Sequence, residues 1–399
     1  MTKIFIHKPG IVSCVGNGLE THLTQLQLKD KKSLTQCENP FPNFAIRAGS
    51  FGIVKEELRE FPENLPSHFR NRCNQLLWHA LEQIEEQVQE VISKYGKHRV
   101  AVIMGTSTTG VDECDPYFLG KEKDIVLNQL FFSNPADFVK TAYNLTGVSF
   151  GISTACTSGA RALISAARLL HCGFCDAVIC GGVDNLSPLT LKGFDSLSVL
   201  SPENLNPFSE NRQGTNIGEG AAVFVLTKEK LDNSALEYLG GGASCDSYHM
   251  SSPHPEGKGA IAALEQALSQ AKLDAEQIGW VNLHGTATLH NDLMEAKAIT
   301  SVLPPDVPCT STKSYTGHTL GASGAIEAAI LWGFVSPVYN QLGKLPLHLW
   351  DEKFDPQISP LNFTNQNSTW TKEKTRIGLS NSFAFGGNNA VIILGECNA

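Results

Sequence analysis

Short apolar runs alternate with longer stretches of helical spacing along almost the whole chain, the pattern of an α/β protein. Arg99–Met104 and Asp176–Cys180 read as buried strands. The first is ended by Gly105-Thr106-Ser107-Thr108-Thr109-Gly110, the second by Gly181-Gly182. Ala221–Leu226, Trp280–Leu283 and Asn389–Leu394 read the same way, and Met1–Ile6 reads as a first strand. Helical periodicity is clearest over Cys73–Ser93, Ala160–Leu170, Lys258–Ala271 and Gly321–Phe334. The stretch from Asp112 to Asn134 follows neither period and is rich in large apolar residues, which suits a surface excursion, a lid or a subunit contact.

At 399 residues the chain exceeds what one core usually serves, and two halves can be drawn, residues 1–230 and 235–399. Each half contains the order strand, loop, helix, strand. The polar, glycine-rich run from Asn233 to Gly242 reads as the junction, with Gly240-Gly241-Gly242 flexible rather than phosphate-binding, since no Lys-Ser/Thr pair follows. Apolar residues at 42% and charged residues at 18% describe an ordinary globular protein. A net charge of −9 gives no support for nucleic-acid binding. No run approaches the roughly 20 apolar residues of a membrane span; the best candidate, Ala325 to Val335, carries Glu327 and is stopped by Pro337. The N-terminus is too short and polar for a signal peptide. The eleven cysteines lack a disulfide framework, so free thiols in a reducing cytoplasm are expected. The CxxC in His171-Cys172-Gly173-Phe174-Cys175 has no second pair and reads as packing.

One thiol stands apart. Cys156 lies in Gly151-Ile152-Ser153-Thr154-Ala155-Cys156-Thr157-Ser158-Gly159, just ahead of a helical stretch. Unpaired N–H groups and the positive helix end favour thiolate there, and small neighbours let an acyl group approach. Three downstream loops carry matching chemistry. His284 heads a loop at the end of a strand, His284-Gly285-Thr286-Ala287-Thr288. His318 stands at the mouth of a helix in Lys313-Ser314-Tyr315-Thr316-Gly317-His318-Thr319-Leu320-Gly321, and Lys313 is the candidate partner for the apolar-flanked Glu327. Phe383-Ala384-Phe385-Gly386-Gly387-Asn388 is a tight turn whose glycines let backbone N–H groups face a ligand.

Together these runs resemble the β-ketoacyl-acyl carrier protein synthases of the thiolase-like superfamily, in the elongating form with one cysteine and two histidines. Asn206-Pro207-Phe208 with Arg212, and Gly218-Glu219-Gly220-Ala221, resemble the family's mid-chain segment. The resemblance implies a five-layer α-β-α-β-α fold of two similar halves and a decarboxylative Claisen condensation. Cys156 takes an acyl group from a carrier protein, with the N–H groups of Cys156 and Phe385 as the oxyanion hole and Phe385 as a gate. His284 and His318 then assist decarboxylation of malonyl-carrier and hold the enolate. The resemblance further implies that Lys313 orders water and charge near His318 and is fixed by Glu327. Thr286 and Thr288 bind the phosphopantetheine arm, and Phe383, Gly386 and Gly387 line the substrate.

It implies no metal and no resident cofactor, since substrates arrive on the carrier's arm. The implied partners are an acyl carrier protein and a second subunit, either another copy or a chain-length-factor paralogue. Arg70 and Arg72 are candidates for a positive patch facing an acidic carrier. Leu289 replaces the proline usual after the His284 loop, and Asn206 stands where the family often has a basic residue. Leu345-Pro346-Leu347-His348-Leu349-Trp350-Asp351, with the loop 105–110, is closer to ketosynthases of aryl polyene or related specialised clusters.

Rival readings are separable. A biosynthetic thiolase would carry a second cysteine in the last glycine turn, where Phe383–Asn389 has none, and an initiating or chalcone-type synthase would have asparagine at His318. Chain-length factors lose the nucleophile, so Cys156 argues for activity; a cysteine does not by itself prove turnover, and a mainly structural subunit of a ketosynthase heterodimer stays the alternative.

Overall fold

Strand Val100–Gly105, buried along its whole length, runs parallel between Ser149–Ile152 and Ala177–Asp184. Ala177–Asp184 pairs antiparallel with Gly220–Thr227, which in turn takes Gly10–Ser13. The second half repeats this order. Trp280–Leu283 runs parallel between Pro308–Ser311 and Ile377–Phe383, which pairs antiparallel with Asn388–Gly395 and, through it, with Leu236–Cys245. The short strand Phe5–Ile6 lies antiparallel between Gly220–Thr227 and Leu236–Cys245 and joins the two half-sheets. The computed structural model describes residues 2–29, 33–37, 40–47, 49–372 and 374–397, so Met1 of the expected first strand lies outside the described residues.

Parallel strands must be covered on both faces, and the alternation of side chains shows by what. Val100 and Val102 join the outer cluster of Leu76, Leu77, Leu81 and Phe138 from helices Arg72–Glu82 and Asn134–Ala142. Ala101 and Ile103 face the inner cluster of Leu163, Ala167, Ala329 and Ile330. On the far side, Val281 and Leu379 pack under Leu264 and Ile299 of helices Lys258–Ala271 and Leu289–Val302. The result is five layers, with Ser158–His171 and Ser323–Val335 as the buried central pair. These two helices approach through glycine: a Cβ at Gly159 would lie 2.7 Å from the Ala325 nitrogen, and one at Gly324 would lie 2.7 Å from that of Ala160.

Three elements differ from expectation. Gly240–Gly242 is not a flexible junction but the middle of strand Leu236–Cys245, where the absence of Cβ atoms admits the backbone of helix Lys258–Ala271. The 73–93 periodicity is divided between Arg72–Glu82 and Glu85–Tyr95, because Ile84 leaves helical backbone while Gln83 bonds both backbone groups of Ile11. The 112–134 stretch holds only short helical turns, and Phe118, Leu127, Phe131 and Phe132 are exposed along it.

The close packing on Gly242 predicts that Gly242→Ala, whose Cβ would fall 1.9 Å from the Ala263 carbonyl oxygen, destabilises the fold. A loss of about 1–3 kcal/mol is expected in denaturant titration. Gly193, inside helix Pro188–Ser196 with open space where a Cβ would stand, is the control; Gly193→Ala should be neutral or stabilising by up to ~1 kcal/mol.

Candidate active site

The nucleophile loop is built by a tight turn. Ala155 takes φ +52°, Ser158 Oγ donates to the Ala155 carbonyl at 2.6 Å, and the Thr154 N–H donates back to Ser158 Oγ at 2.9 Å. Cys156 is thereby held two residues ahead of helix Ser158–His171 and is buried. The N–H groups of Cys156 and Phe385 bond the sulfur and, with Lys313, favour its charged form. Burial nevertheless dominates and pushes the thiol up to about 12. At rest this is a thiol, not the thiolate that a helix N-terminus alone would favour.

His318 Nε2 lies 3.0 Å from Cys156 Sγ. The backbone of His318 is fixed on both sides: its N–H donates to the Asn216 carbonyl at 2.7 Å, and its carbonyl accepts from Gly218 N–H at 3.0 Å. His284, at the end of strand Trp280–Leu283, meets the His318 ring edge to face at 5.4 Å. Burial, with Lys313 adding to it, holds both imidazoles well below the ordinary histidine range, so both are neutral.

The structure departs from the sequence-based expectation in the reach of Lys313. Its ammonium lies 3.2 Å from His284 Nδ1, rather than on His318, and pairs with Glu327. A protonated lysine can only donate, so Nδ1 of His284 accepts and its proton sits on Nε2. Glu327 also accepts from Ser323 Oγ at 3.2 Å. Burial raises its carboxyl to about 7 against the opposing pull of Lys313.

Phe385 stacks on Phe194 at 5.5 Å, and Phe194 stands edge to face against His318. Left-handed Gly386 and Gly387 shape the turn beyond Phe385, and it is buttressed from the 245–254 segment. Gly386 N–H donates to the Met250 carbonyl and Asp246 N–H to the Gly387 carbonyl, each at 2.8 Å. Thr286 and Thr288 hydroxyls meet at 3.0 Å on the wall of a cavity of about 370 Å³. Cys156, His284, His318, Phe383 and Phe385 line the same cavity.

Arg70 and Arg72 are not brought to this cavity. Arg72 bonds Glu219 and the Val54 carbonyl, while the Arg70 guanidinium bonds the carbonyls of Pro62, Glu63 and Leu65. Arg212 does line the cavity but is tied to Asp355 at 2.5 Å.

Sequence reasoning missed Glu295, Asp184, Phe194 and Asp246. Glu295 accepts from the N–H groups of His284 and Gly285, both at 2.7 Å, and so shapes that loop. Its signal was an acid on the helix that follows the histidine loop. Cys156, His284 and His318 are also the group of three donors, among the described residues, close enough to hold a metal ion. Their Sγ–Nε2 spacing of 3.0 Å suits a hydrogen bond. It is shorter than the roughly 3.5 Å that tetrahedral zinc ligation would impose.

Residues 69–231 match the family described as beta-ketoacyl synthase, N-terminal domain, and residues 236–333 match its C-terminal domain. The 3-oxoacyl-(acyl-carrier-protein) synthase 2 of Synechocystis is 31% identical over 78% of this chain and 79% of its own. The enzyme of the same name from Vibrio harveyi is 29% identical over 98% of both. Among solved structures, the ketosynthase ApeO, in complex with its chain length factor ApeC from Xenorhabdus doucetiae, matches with a TM-score of 0.90. That match has 38% identity over 99% of this chain and 98% of that one. With this likeness running through both halves and the cysteine–histidine–histidine cluster, the chain belongs to the β-ketoacyl synthase family, with its thiolase-like fold.

Proposed function

We propose that this chain is an elongating β-ketoacyl-acyl carrier protein synthase in which Cys156 carries the growing chain and His284 and His318 form the enolate. The observation that carries this reading is the convergence of a buried thiol and two neutral imidazoles on one cavity. In the first half-reaction Cys156 sulfur attacks the carrier thioester. Its proton ends on the departing carrier sulfur, and the Cys156 and Phe385 N–H groups stabilise the oxyanion. In the second, malonyl-carrier loses carbon dioxide while His284 Nε2–H and His318 hold the enolate oxygen. The enolate carbon then attacks the acyl-Cys156 carbonyl, and the cysteine sulfur leaves as a thiolate that takes a proton from solvent. A neutral imidazole suits this step when its one N–H faces the developing enolate oxygen, as Nε2–H of His284 does.

Thr286 and Thr288 would hold the pantetheine arm, and Phe385 would swing to admit the second substrate. The arm belongs to the substrate, so the reading requires no resident cofactor. The likeness to a ketosynthase that pairs with a chain length factor supports a specialised polyketide or aryl-polyene-type pathway and a heterodimer. The exposed apolar side chains of Tyr117, Phe118, Val126, Leu127, Phe131 and Phe132, beside the sheet-edge strand Ser149–Ile152, are the surface for that partner. The same chemistry supports a cytoplasmic site of action; no described helix is long and apolar enough to cross a membrane.

Cys156→Ala should abolish acyl loading, read as loss of the acyl adduct in intact-protein mass spectrometry with acyl-carrier; an adduct retained elsewhere on the chain would overturn the assignment. His318→Ala should lower condensation by about 10²–10³-fold while slowing acyl loading much less; equal loss of both steps would contradict its role. Phe131→Asp should reduce dimer, whether with a second copy or with a co-expressed paralogue, in sedimentation analysis.

A further inference from the structure

Asp184 ends strand Ala177–Asp184 and is fully buried, yet it is not bound to a cation; its partners are five N–H and O–H groups. Oδ1 accepts from Thr106 Oγ1 at 2.7 Å, Ser107 N–H at 2.9 Å, Thr108 N–H at 3.0 Å and Thr108 Oγ1 at 2.8 Å. Oδ2 accepts from Gly321 N–H at 2.6 Å. One carboxylate therefore ties the loop after strand Val100–Gly105 to the turn that follows His318. The approach is as close as a glycine permits, since a Cβ at Gly321 would stand 2.6 Å from Oδ2 and from Ser107 Oγ.

The two histidines are aimed by different means. The His284 ring is held directly, through Nδ1 by Lys313. The Nδ1 of His318 is buried with no hydrogen-bond partner, so beyond Cys156 and the edge-on rings of His284 and Phe194 its placement depends on where its backbone runs. That backbone is fixed ahead of the ring by Asn216 and Gly218, and behind it by the Asp184 bond to Gly321. The strand, the nucleophile helix and the histidine helix meet here: a Cβ at Gly105 would strike Ser158 and Gly159 backbone, and one at Gly159 would strike Ala325.

We propose that Asp184 is the positioning residue for His318, strapping its loop to the ends of strands Val100–Gly105 and Ala177–Asp184, the first of which pairs with the strand Ser149–Ile152 that leads to Cys156. The inference rests on the ketosynthase reading above. The test is Asp184→Asn, which keeps the size but turns an amide N–H₂ toward one set of donors. Condensation should fall about tenfold or more in kcat with KM for malonyl-carrier within about twofold, and acyl loading should change far less. The charged groups facing Cys156 are Lys313 and Asp184, with neutral His284 and His318 beside them. Removing the carboxylate charge should therefore also shift the pH profile of Cys156 alkylation by iodoacetamide to lower pH with the melting temperature unchanged, since a loss of packing that exposed the thiol would shift the profile the same way but lower the stability.

A wild-type condensation rate in the variant would overturn the proposal. So would equal loss of both half-reactions with an unaltered alkylation profile. If the variant does not fold, Thr108→Val removes one hydroxyl donor and should lower condensation by about threefold, with Thr108→Ser restoring it; wild-type condensation in Thr108→Val would sink the idea. Should the wild-type protein itself fail to condense, the ketosynthase reading falls first and this inference with it.

Discussion

The active site depends on how closely two helices of the central layer can approach. Ser158–His171 begins just after Cys156, and Ser323–Val335 begins just after the His318 loop, so the crossing of these helices sets the distance between the two reactive groups. Gly159 lies against Ala325 and Gly324 against Ala160, each without room for a Cβ. A bulkier pair would drive the helices apart, and the 3.0 Å contact between sulfur and imidazole would be lost. Sheets, outer helices and loops arrange themselves around that approach.

Burial then decides the charge states. A helix terminus contributes at most about 2 kcal/mol to a nearby anion, little more than one decade in an ionisation constant. The desolvation of Cys156 outweighs it, even with Lys313 and two N–H groups assisting. The same desolvation keeps His284 and His318 neutral. The site thus stores one buried cation, Lys313, against Glu327, and keeps Cys156, His284 and His318 uncharged until substrate arrives. A charged nucleophile is formed only as the thioester is engaged, which limits idle reaction of the thiol with other electrophiles.

The legibility of the chain follows from how far apart interacting residues lie. Cys156, His284, His318 and Phe385 stand in glycine-rich runs whose composition is itself the signal, so the cluster is readable in the sequence alone. Glu295 and Asp184 act on backbone N–H groups, which leave no trace in the partner's residue type. Asp184 in particular joins positions 137 residues apart. The charge of Lys313 acts on His318, as its nearness in sequence implies, but its direct contact is with His284, whose strand only the fold brings alongside. Of the two arginines that read as a positive face, Arg72 is paired with Glu219, while Arg70 is exposed and bonded only to backbone carbonyls. Gly240–Gly242 read as flexible because glycine allows both mobility and close packing, and only the neighbouring helix shows which applies.

The repeated strand order of the two halves places the reactive groups at equivalent positions. In each half the central helix follows a loop at the end of a parallel strand, Ser149–Ile152 in one and Pro308–Ser311 in the other. The first loop carries the cysteine and the second the histidine, at equivalent places facing one another. A site assembled this way has two differently substituted ends of one architectural unit, so nucleophile and proton-handling group could diverge independently while the glycine contact kept their spacing. The remaining asymmetry lies in the carboxylates: Asp184 bonds across to the histidine loop, while Glu295 bonds the His284 loop from within its own half. The first crosses the interface between halves and the second does not, so only the first ties the relative placement of the halves to the geometry of the chemistry.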